Sequence, residues 1–585
     1  MTADGDGPDP GRGPEQGGGP EQGGGPEQGG AAARLVLGPL LRYVAGTQAT
    51  IWVETDRACL VTVLDHRART FAVNGHHYAL VMLDGLRPGT DYEYQVALDG
   101  TVRWPEPDTE FPPSVLRTAD PGRPVRLAFG SCRIAELPVP RYRRSSRRAR
   151  ERALADEREH GPDALVACAL DLRTSPRERW PDLILLIGDQ VYADNPGPAT
   201  RDYIEGRRDP SVPPGYEVAD FTEYCRLYRE AWTEPSVRWL LSTVPTAMIF
   251  DDHDVHDDWN TSASWRRDYQ AKPWWPERIR SAYMTYWLYQ HIGNLSPAEL
   301  AQDELWPRVQ EPGDHGAALA EFAARADDPT GGIRWSFRRT FGGVRVVVID
   351  SRAGRTFGDG QRLMTSPREW QWVTGSVSGD WDHVVLASSL PLLLPPGIHA
   401  LEAWNEAVCA GAWGKRFARA GERIRRALDL EHWAAFGASF GQFESLLTDL
   451  ATGARGRRPA SVTVLGGDIH HSYLARVDFP PGTAAATAVH QAVCSPLHNV
   501  LPDQFRRGHQ LTTSRAGALA GGWIARLAGV RKPRLRWRII RGSWFHNMLA
   551  ELEFSGRRAK IRWDRTVSDR DGVPHLQEVC EAELT

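Results

Sequence analysis

The sequence predicts an α/β protein with an all-β region towards its N-terminus, and two patterns lead to this prediction. Between residues 34 and 119, short segments alternate apolar and polar residues, as half-buried strands do. From residue 122 onward, near-continuous apolar strands alternate with long helical stretches, which is typical of a sheet covered on both faces. The chain has 585 residues, more than one hydrophobic core usually supports, so we expect two or more structural units.

Composition and charge are those of an ordinary globular protein. Hydrophobic residues make up 41% of the chain and charged residues 25%. The formal net charge of −4 gives no overall electrostatic attraction for nucleic acid, so no specific nucleic-acid partner is predicted. Seven cysteines without paired spacing indicate a reducing compartment. Because we find neither a signal pattern nor a membrane-length apolar run, we predict a cytoplasmic protein.

The N-terminal part divides into a tail and a β-sandwich. Residues 1–33 contain the repeat Gly-Pro-Glu-Gln-Gly-Gly, which lacks core-forming residues and predicts a disordered tail. Residues 34–119 contain predicted strands at 49–55, 60–64, 77–83 and 92–98. Residues 86–94 read Leu-Arg-Pro-Gly-Thr-Asp-Tyr-Glu-Tyr and resemble the tyrosine corner of fibronectin type III domains. This resemblance implies an immunoglobulin- or fibronectin III-like fold.

The remainder alternates strands with helices. The predicted strands are 125–129, 182–187, 247–250, 344–349, 384–387 and 462–465. Helices are predicted at 141–171, 221–241 and 278–291, because apolar residues recur there with helical spacing or because the segment is rich in Arg. The carboxyl ends of strands in such sheets gather at one edge, where catalytic groups are usually found.

Residues that could bind metal ions follow four of these strands. The clusters are Gly130-Ser-Cys132-Arg133, Gly188-Asp189-Gln-Val-Tyr192, the acidic run 251–258, and Gly466-Gly467-Asp468-Ile-His470. The acidic run holds five carboxylates and two imidazoles, which would repel one another unless cations neutralised them. A single cluster would also fit a helix cap or a small buried side chain. Together, the four clusters predict a metal site.

This set of clusters resembles the PhoD-like phosphatases, which belong to the calcineurin-like metallophosphoesterases. The resemblance covers residues 122–580 and implies a four-layer β-sandwich flanked by helices. It also implies a set of metal ligands: Cys132, Asp189, Tyr192, Asp252, Asp468 and His470. In the family pattern Cys132 and Tyr192 bind Fe³⁺, and Asp189 bridges to a second ion.

The resemblance leaves the second ion and the catalytic groups as expectations. Ca²⁺ is favoured over Zn²⁺ or Mn²⁺, because Ser388-Ser389 stand where related purple acid phosphatases have a His ligand. His253, oriented by Asp254, is expected beside the leaving group. Arg133 and Arg352 are candidates for binding the phosphoryl oxygens, and a structural ion pair is the alternative for Arg352.

The predicted function is a metal-dependent phosphoesterase that hydrolyses phosphate monoesters, diesters or both through water activated by two metal ions. The substrate is expected to be a small-molecule phosphoester. The alternative is a catalytically inactive metallophosphatase-like binding or scaffold protein. Neither the preference for monoesters or diesters nor the oligomeric state follows from the sequence.

A basic segment at 505–540 suggests a further interaction. Its Arg and Lys residues are interleaved with Leu, Ile and Trp, which indicates contact with a membrane surface. The alternative is a surface helix that closes over the active site, because Gly521, Gly522 and Pro533 interrupt the apolar spacing.

Overall fold

The structure is a computed structural model that describes residues 32–135, 160–328, 331–358, 362–500 and 515–585. The predicted tail up to residue 31, the predicted helix 141–171 up to residue 159, and residues 505–514 of the basic segment lie outside the described residues. Within the described ranges, no helix is both long and apolar enough to cross a bilayer.

Ten short strands form the N-terminal region. They are β1 (Leu35–Val44), β2 (Ala49–Thr55), β3 (Leu60–Val63), β4 (His66–Arg69), β5 (Phe71–Val73), β6 (His76–Leu83), β7 (Asp91–Glu93), β8 (Val96–Leu98), β9 (Thr101–Trp104) and β10 (Val115–Arg117). One sheet has the order β1-β2-β6-β5, a second has the order β4-β3-β8-β9, and β7 pairs with β10. Ile51 and Val53 share a buried core with Val61 and Val96, so the two larger sheets pack face to face.

The strand predicted at 92–98 is split in the structure. The strand β7 pairs with β10, whereas β8 pairs with β3 and β9, so the chain changes sheets near Tyr94. The N–H of Arg87 donates to the Tyr92 hydroxyl at 2.8 Å, which is the type of contact found in a tyrosine corner. The all-β N-terminal region is confirmed, and its kinship with fibronectin domains stays a prediction.

One sheet of this region also packs against the rest of the chain. Trp52, Phe71 and Tyr78 belong to the main hydrophobic core rather than to the core between the two N-terminal sheets. The buried Arg42 guanidinium donates to the carbonyl oxygens of Tyr289 at 3.0 Å and Gln290 at 2.6 Å. The N-terminal sandwich is therefore joined to the following region by a shared core.

Thirteen further strands form two large sheets. They are β11 (Val125–Gly130), β12 (Leu183–Ile187), β13 (Thr246–Ile249), β14 (Phe337–Phe341), β15 (Val344–Ile349), β16 (His383–Ser388), β17 (Ser461–Gly466), β18 (Ser472–Asp478), β19 (Ala488–Val493), β20 (Arg536–Trp544), β21 (Met548–Ser555), β22 (Arg558–Ser568) and β23 (Pro574–Glu583). Their orders are β13-β12-β11-β21-β22-β23 and β14-β15-β16-β17-β19-β18-β20. Phe129 and Leu185 of the first sheet share one core with Ala387, Leu465 and Ala492 of the second.

Helices fill the connections between these strands. The α-helices are α1 (Ala164–Thr174), α2 (Pro198–Glu205), α3 (Phe221–Trp232), α4 (Pro235–Thr243), α5 (Ala263–Gln270), α6 (Trp275–Thr285), α7 (Pro297–Leu300), α8 (Trp306–Val309), α9 (Gly316–Ala326), α10 (Pro367–Ser376), α11 (Pro396–Cys409), α12 (Lys415–Ala427), α13 (Gly437–Thr452) and α14 (Arg515–Leu527). Short 3₁₀ segments lie at Arg177–Arg179, Ile292–Asn294 and Trp433–Ala435, and a π-helix lies at Tyr286–His291.

Two predicted helices differ in detail from the structure. The helix predicted at 221–241 is two helices, because Pro235 has no N–H to continue α3 and instead starts α4. The helix predicted at 278–291 ends in the π-helical turn. The α/β class agrees with the sequence prediction, and the four-layer arrangement stays a prediction.

Candidate metal centre

The predicted ligands lie beyond the carboxyl ends of parallel strands from both large sheets. In one sheet β11, β12 and β13 are parallel, and the turns that follow them carry Cys132, Asp189 and Asp252. In the other sheet Asp468 follows β17. The two sheet edges touch, because the Asp468 N–H donates to the Ser131 hydroxyl at 3.0 Å. The structure thus brings together the four clusters that the sequence singles out.

Several of these turns have an unusual backbone. Among the described residues, ten that are not glycine have a positive φ, and four of them are predicted metal ligands. These four are Cys132 (58°), Asp189 (51°), Asp468 (64°) and His470 (51°). Such conformations cost on the order of 1 kcal/mol or more each and persist where the surrounding structure fixes them, often at functional sites.

Gly188 allows the turns to approach each other closely. Its φ of 116° is in a region that side chains rarely adopt. A Cβ atom at this position would lie 2.8 Å from Asp251 Cβ and 3.1 Å from Ser389 Cβ. The backbone before Asp189 therefore runs where there is no room for a side chain.

The first ligand group contains Cys132, Asp189 and Tyr192, which are all buried. The Tyr192 hydroxyl lies 3.4 Å from Asp189 Oδ2 and accepts a hydrogen bond from the Asn499 amide at 3.1 Å. Burial raises the pKa of the Cys132 thiol, and the nearby charge of Asp189 raises it further. Burial also raises the pKa of Asp189. A bound cation would oppose both shifts, because it favours the ionised ligands.

Three buried atoms of the predicted ligands have no hydrogen-bond partner among the described residues. They are Asp189 Oδ1, Asp252 Oδ1 and His470 Nδ1. An unpaired buried polar atom usually costs about 1–3 kcal/mol, so each such atom calls for an explanation. Burial lowers the pKa of His470 to about 4, which keeps the imidazole neutral and able to coordinate. Carboxylate and imidazole are common metal ligands, so these donors fit a metal ion.

Asp252 belongs to two further groups of candidate donors. One group joins Asp189, Asp252 and His253, and the other joins Asp251, Asp252 and Asp468. Within each group the donor atoms lie within 4.8 Å of one another. Oxygen-rich sets of this kind suit hard cations such as Ca²⁺. Asp251 was not singled out as a ligand from the sequence.

The two serines expected near the second ion have other partners. The Trp433 indole N–H donates to the Ser388 hydroxyl at 3.1 Å. The Ser389 hydroxyl lies 2.8 Å from that of Ser351. Oxygen donors for a second cation are therefore supplied most directly by the carboxylates.

Arg352 lies among the acidic side chains of the centre. Its fully buried guanidinium donates through Nε to Asp251, and Nη1 lies 2.6 Å from Glu431 Oε2. Nη2 lies 3.1 Å from Asp252 Oδ1 but makes no hydrogen bond among the described residues. The structural ion pair considered from the sequence is present, and all three guanidinium nitrogens lie against carboxylates.

Arg133, the other predicted phosphate-binding residue, has different surroundings. Its Nε and Nη2 both lie 2.8 Å from Asp163 Oδ2, and its Nη1 donates to the Ala231 carbonyl at 2.7 Å. Asp163 caps the N-terminus of α1 through its side chain. All three guanidinium nitrogens thus have protein partners, so this geometry supports an anchoring role rather than phosphate binding.

His253 is oriented by a residue that the sequence did not single out. Its Nδ1 lies 2.8 Å from Asp194 Oδ2, and its ring centroid is 4.5 Å from that of Tyr192. Burial alone would lower the pKa of His253, but the carboxylates of Asp194 and Asp252 outweigh burial and raise it well above its usual value. The expectation that Asp254 orients this imidazole is therefore corrected. Asp254 instead accepts the N–H of Asp251 in the same turn.

His432 is a second residue that sequence reasoning missed. Its Nε2 lies 3.1 Å from Asp468 Oδ2, and its Nδ1 lies 2.6 Å from Glu402 Oε1. It precedes a short 3₁₀ segment rather than following a strand, so no strand-end signal marked it. Asn499 was missed as well, because the preceding strand β19 contains His490 and Gln491 and is not an apolar run.

The strand-edge cluster brings together carboxylate, imidazole, phenol and thiol groups, which are all able to bind metal ions. Residues 172–312 match the family model described as PhoD-like phosphatase. This segment contains Asp189, Tyr192, Asp252 and His253. Residues 172–312 are therefore similar to the PhoD-like phosphatases, and the resemblance predicted from the motifs is confirmed for this segment. Residues 32–116 match the model described as Domain of unknown function (DUF7800).

A solved structure described as "Structure of PhoD" supports the fold. It is 12% identical to this chain and has a TM-score of 0.57 over 96% of this chain and 94% of that one. A maltogenic amylase from S. marinus aligns with 9% identity over 92% of this chain and 80% of that one, with a TM-score of 0.14. The comparison with curated proteins found no match.

Proposed function

We propose that this chain is a metal-dependent phosphoesterase that hydrolyses small phosphate monoesters, diesters or both. The observation that supports this most directly is that two buried ligand atoms, Asp189 Oδ1 and His470 Nδ1, have no hydrogen-bond partner in the described part of the chain. They lie in strained turns among further carboxylates, so the site has unused coordinating atoms where several strands end. The PhoD-like phosphatase match over residues 172–312 supports the choice of phosphate esters as substrates.

We assign the ligands to two cations. Cys132, Tyr192 and His470 would hold Fe³⁺, because thiolate, phenolate and imidazole are suitable donors for iron. Asp189 would be shared between the two ions. Asp252 and Asp468 would hold a second divalent ion, with Ca²⁺ favoured by oxygen ligands. When bound, these ions supply Lewis acidity and make a water molecule a stronger nucleophile near neutral pH.

The protein's own groups would position the ester and supply a proton. Arg352 would contact a phosphoryl oxygen through Nη2, which makes no hydrogen bond among the described residues. A guanidinium stabilises charge on such oxygens through short hydrogen bonds. The protonated His253 imidazole, held by Asp194, would donate a proton to the leaving oxygen. General acid catalysis of this kind commonly contributes about 10²- to 10⁴-fold.

The test compares two buried free cysteines. Cys132 is at the centre, whereas Cys168 lies within α1. We expect the purified wild-type chain to contain stoichiometric iron and to hydrolyse p-nitrophenyl phosphate or its bis ester. Cys132→Ala should lower both iron content and activity, and Cys168→Ala should keep the metal-to-protein ratio unchanged. Asp189→Asn should lower activity by about 10²-fold or more, because it removes a ligand to both ions.

The opposite result would change the proposed function. A folded wild-type chain without metal and without activity would favour the inactive binding protein. Equal loss of iron in Cys132→Ala and Cys168→Ala would show that the effect is one of stability rather than coordination. Relative rates with the mono and bis esters would then rank the two substrate classes.

A further inference from the structure

Large apolar side chains are exposed on the helix α14. Nine such side chains are exposed in the part of the chain that the structure describes, and four of them belong to α14. These four are Leu519 (77% exposed), Trp523 (61%), Ile524 (37%) and Leu527 (56%). Clustered exposure of this kind marks a site of interaction, whereas scattered single residues do not.

The apolar surface continues onto the beginning of α12. The Trp413 indole N–H donates to the Leu527 carbonyl at 3.2 Å, and its ring centroid is 6.0 Å from that of Phe417. Phe417 is 56% exposed. We name this surface the apolar strip and define it by five residues: Phe417, Leu519, Trp523, Ile524 and Leu527.

The other face of α14 is held by the protein. Ala525 and Ala528 are buried, and a Cβ atom on Gly521 would lie 3.1 Å from the Gly397 carbonyl oxygen of α11. Gly521 therefore serves close helix packing rather than breaking the helix. The small residues of α14 thus face the protein, and the large apolar residues of the apolar strip face outward.

The chain segments next to the apolar strip are rich in basic residues. Residues 515–541 contain eight Arg and Lys residues and no Asp or Glu, although the whole chain has a net charge of −4. Lys415, Arg416 and Arg419 lie beside Phe417 in the sequence, and all three are exposed. Within the described ranges, neither Arg531 nor Lys532 forms an ion pair. This surface is thus complementary to a negatively charged partner.

We propose that the apolar strip and its basic surroundings dock this protein onto an anionic lipid bilayer. The apolar side chains would enter the headgroup region while Arg and Lys contact the anionic headgroups. A symmetric dimer through this surface would bring like charges together, which opposes association. Nucleic acid offers phosphates for the basic residues but would leave the aliphatic side chains of Leu519 and Ile524 without a comparable apolar partner.

The experiment uses the full chain and vesicles of defined composition. We expect co-sedimentation with vesicles of phosphatidylcholine mixed with phosphatidylglycerol, and little with phosphatidylcholine alone. Added salt should weaken the binding. The double variant Leu519→Ser/Trp523→Ser should lower partitioning by on the order of tenfold or more, because it removes two large apolar side chains that would enter the headgroup region. Arg531→Gln/Lys532→Gln should lower binding to the anionic vesicles.

A matched control uses exposed apolar residues elsewhere. Val212 is 58% exposed and Tyr216 is 41% exposed, and both lie between α2 and α3. Val212→Ser/Tyr216→Ser should bind vesicles as the wild type does. The melting temperature and any hydrolysis of p-nitrophenyl phosphate should be unchanged in the Leu519→Ser/Trp523→Ser variant, because neither residue belongs to the candidate metal centre.

Several outcomes would overturn the proposal. They are absence of vesicle binding, equal binding to neutral and anionic vesicles, and binding that survives Leu519→Ser/Trp523→Ser. A concentration-dependent dimer that this variant abolishes, without vesicle binding, would assign the surface to a second copy of the chain. Nucleic-acid binding lost only in Arg531→Gln/Lys532→Gln would assign it to a polyanion.

Discussion

Burial and nearby charges together set the pKa values of individual residues of the candidate metal centre. Burial raises the pKa of Tyr192, and the negative charges of Asp189 and Cys132 raise it further. At His253 burial acts in the opposite direction from the nearby carboxylates, which prevail. A positive charge brought close to the ligands would thus stabilise their ionised forms, whereas His253 is suited to hold a proton.

The role of His253 can be tested with esters that differ in their leaving group. His253→Asn should slow hydrolysis of an alkyl ester such as glycerol phosphate by about 10²-fold or more, because an alkoxide needs a proton to depart. Hydrolysis of p-nitrophenyl phosphate should fall much less, since p-nitrophenolate leaves readily without one. Asp194→Asn should show the same pattern more weakly, because Asp194 orients His253.

His256 provides the control, because it belongs to the same loop but faces the Tyr269 hydroxyl at 3.1 Å. His256→Asn should not change the ratio of the two rates. Equal slowing of both esters in His253→Asn would contradict a proton-donating role.

A buried histidine away from the centre predicts acid sensitivity. Burial lowers the pKa of His399 from 6.5 to about 3, and its ring packs against Phe440 and Trp537 with centroid distances of 4.7 Å to each. Between these pH values the unfolded chain binds a proton that the folded chain does not, so stability falls as pH falls. Between pH 7 and pH 5, protonation of His399 in the unfolded chain should lower the free energy of unfolding by about 2 kcal/mol.

His399→Phe should remove that contribution while keeping an aromatic ring in place. We expect the melting temperature of the variant to fall less than that of the wild type between pH 7 and pH 5. Parallel decreases in the two proteins would show that His399 does not contribute to the acid sensitivity.

At the scale of elements, the turns after the strands decide how close the ligands can come. The turn after β12 depends on Gly188, because a side chain there would meet both Asp251 and Ser389. Gly188→Ala should therefore lower activity and metal content by displacing Asp189, in addition to lowering the melting temperature.

Gly75→Ala is the control for Gly188→Ala, because it introduces backbone strain without a steric clash of the new side chain. Gly75 also has a positive φ, of 76°, but its Cβ would have nothing within 4 Å. This variant should cost about 1 kcal/mol of stability and leave metal content unchanged. Unchanged iron and activity in Gly188→Ala would contradict the importance of the close approach.

At the scale of the whole molecule, the N-terminal sandwich is part of the structural support of the remainder. Its Trp52 ring lies 5.1 Å from that of Tyr289, and Tyr289 donates to Glu54 at 3.0 Å. The Arg229 guanidinium also pairs with Glu54. Removing the sandwich would expose apolar surface and leave buried polar groups without partners.

A chain that begins at residue 120 should consequently give little soluble protein or a much lower melting temperature. A chain that begins at residue 32 is the control, because it keeps every contact of the N-terminal region described above. A stable, fully active protein from residue 120 onward would show that the sandwich is dispensable.

The sequence alone predicted the strands that carry the centre, because apolar runs followed by Gly and polar residues are local patterns. β2 begins and ends as predicted at 49–55, and β15 does so at 344–349. The same local patterns marked Cys132, Asp189, Asp252 and Asp468. Local pattern failed where a strand changes sheets near Tyr94 and where Pro235 divides a helix, because pairing partners and helix starts depend on the surrounding chain.

Only the tertiary structure decided which side chains meet. Asp194 contacts His253 across 59 positions of sequence, and His432 contacts Asp468 across 36. The separation of each pair along the sequence matches no helix or strand repeat. Both contacts instead depend on how the loops pack in the fold. The sequence by itself thus determined the kinds of ligand and the strand ends that carry them. The fold determined the partners, since hydrogen bonds and ion pairs depend on distance in space rather than on distance along the chain.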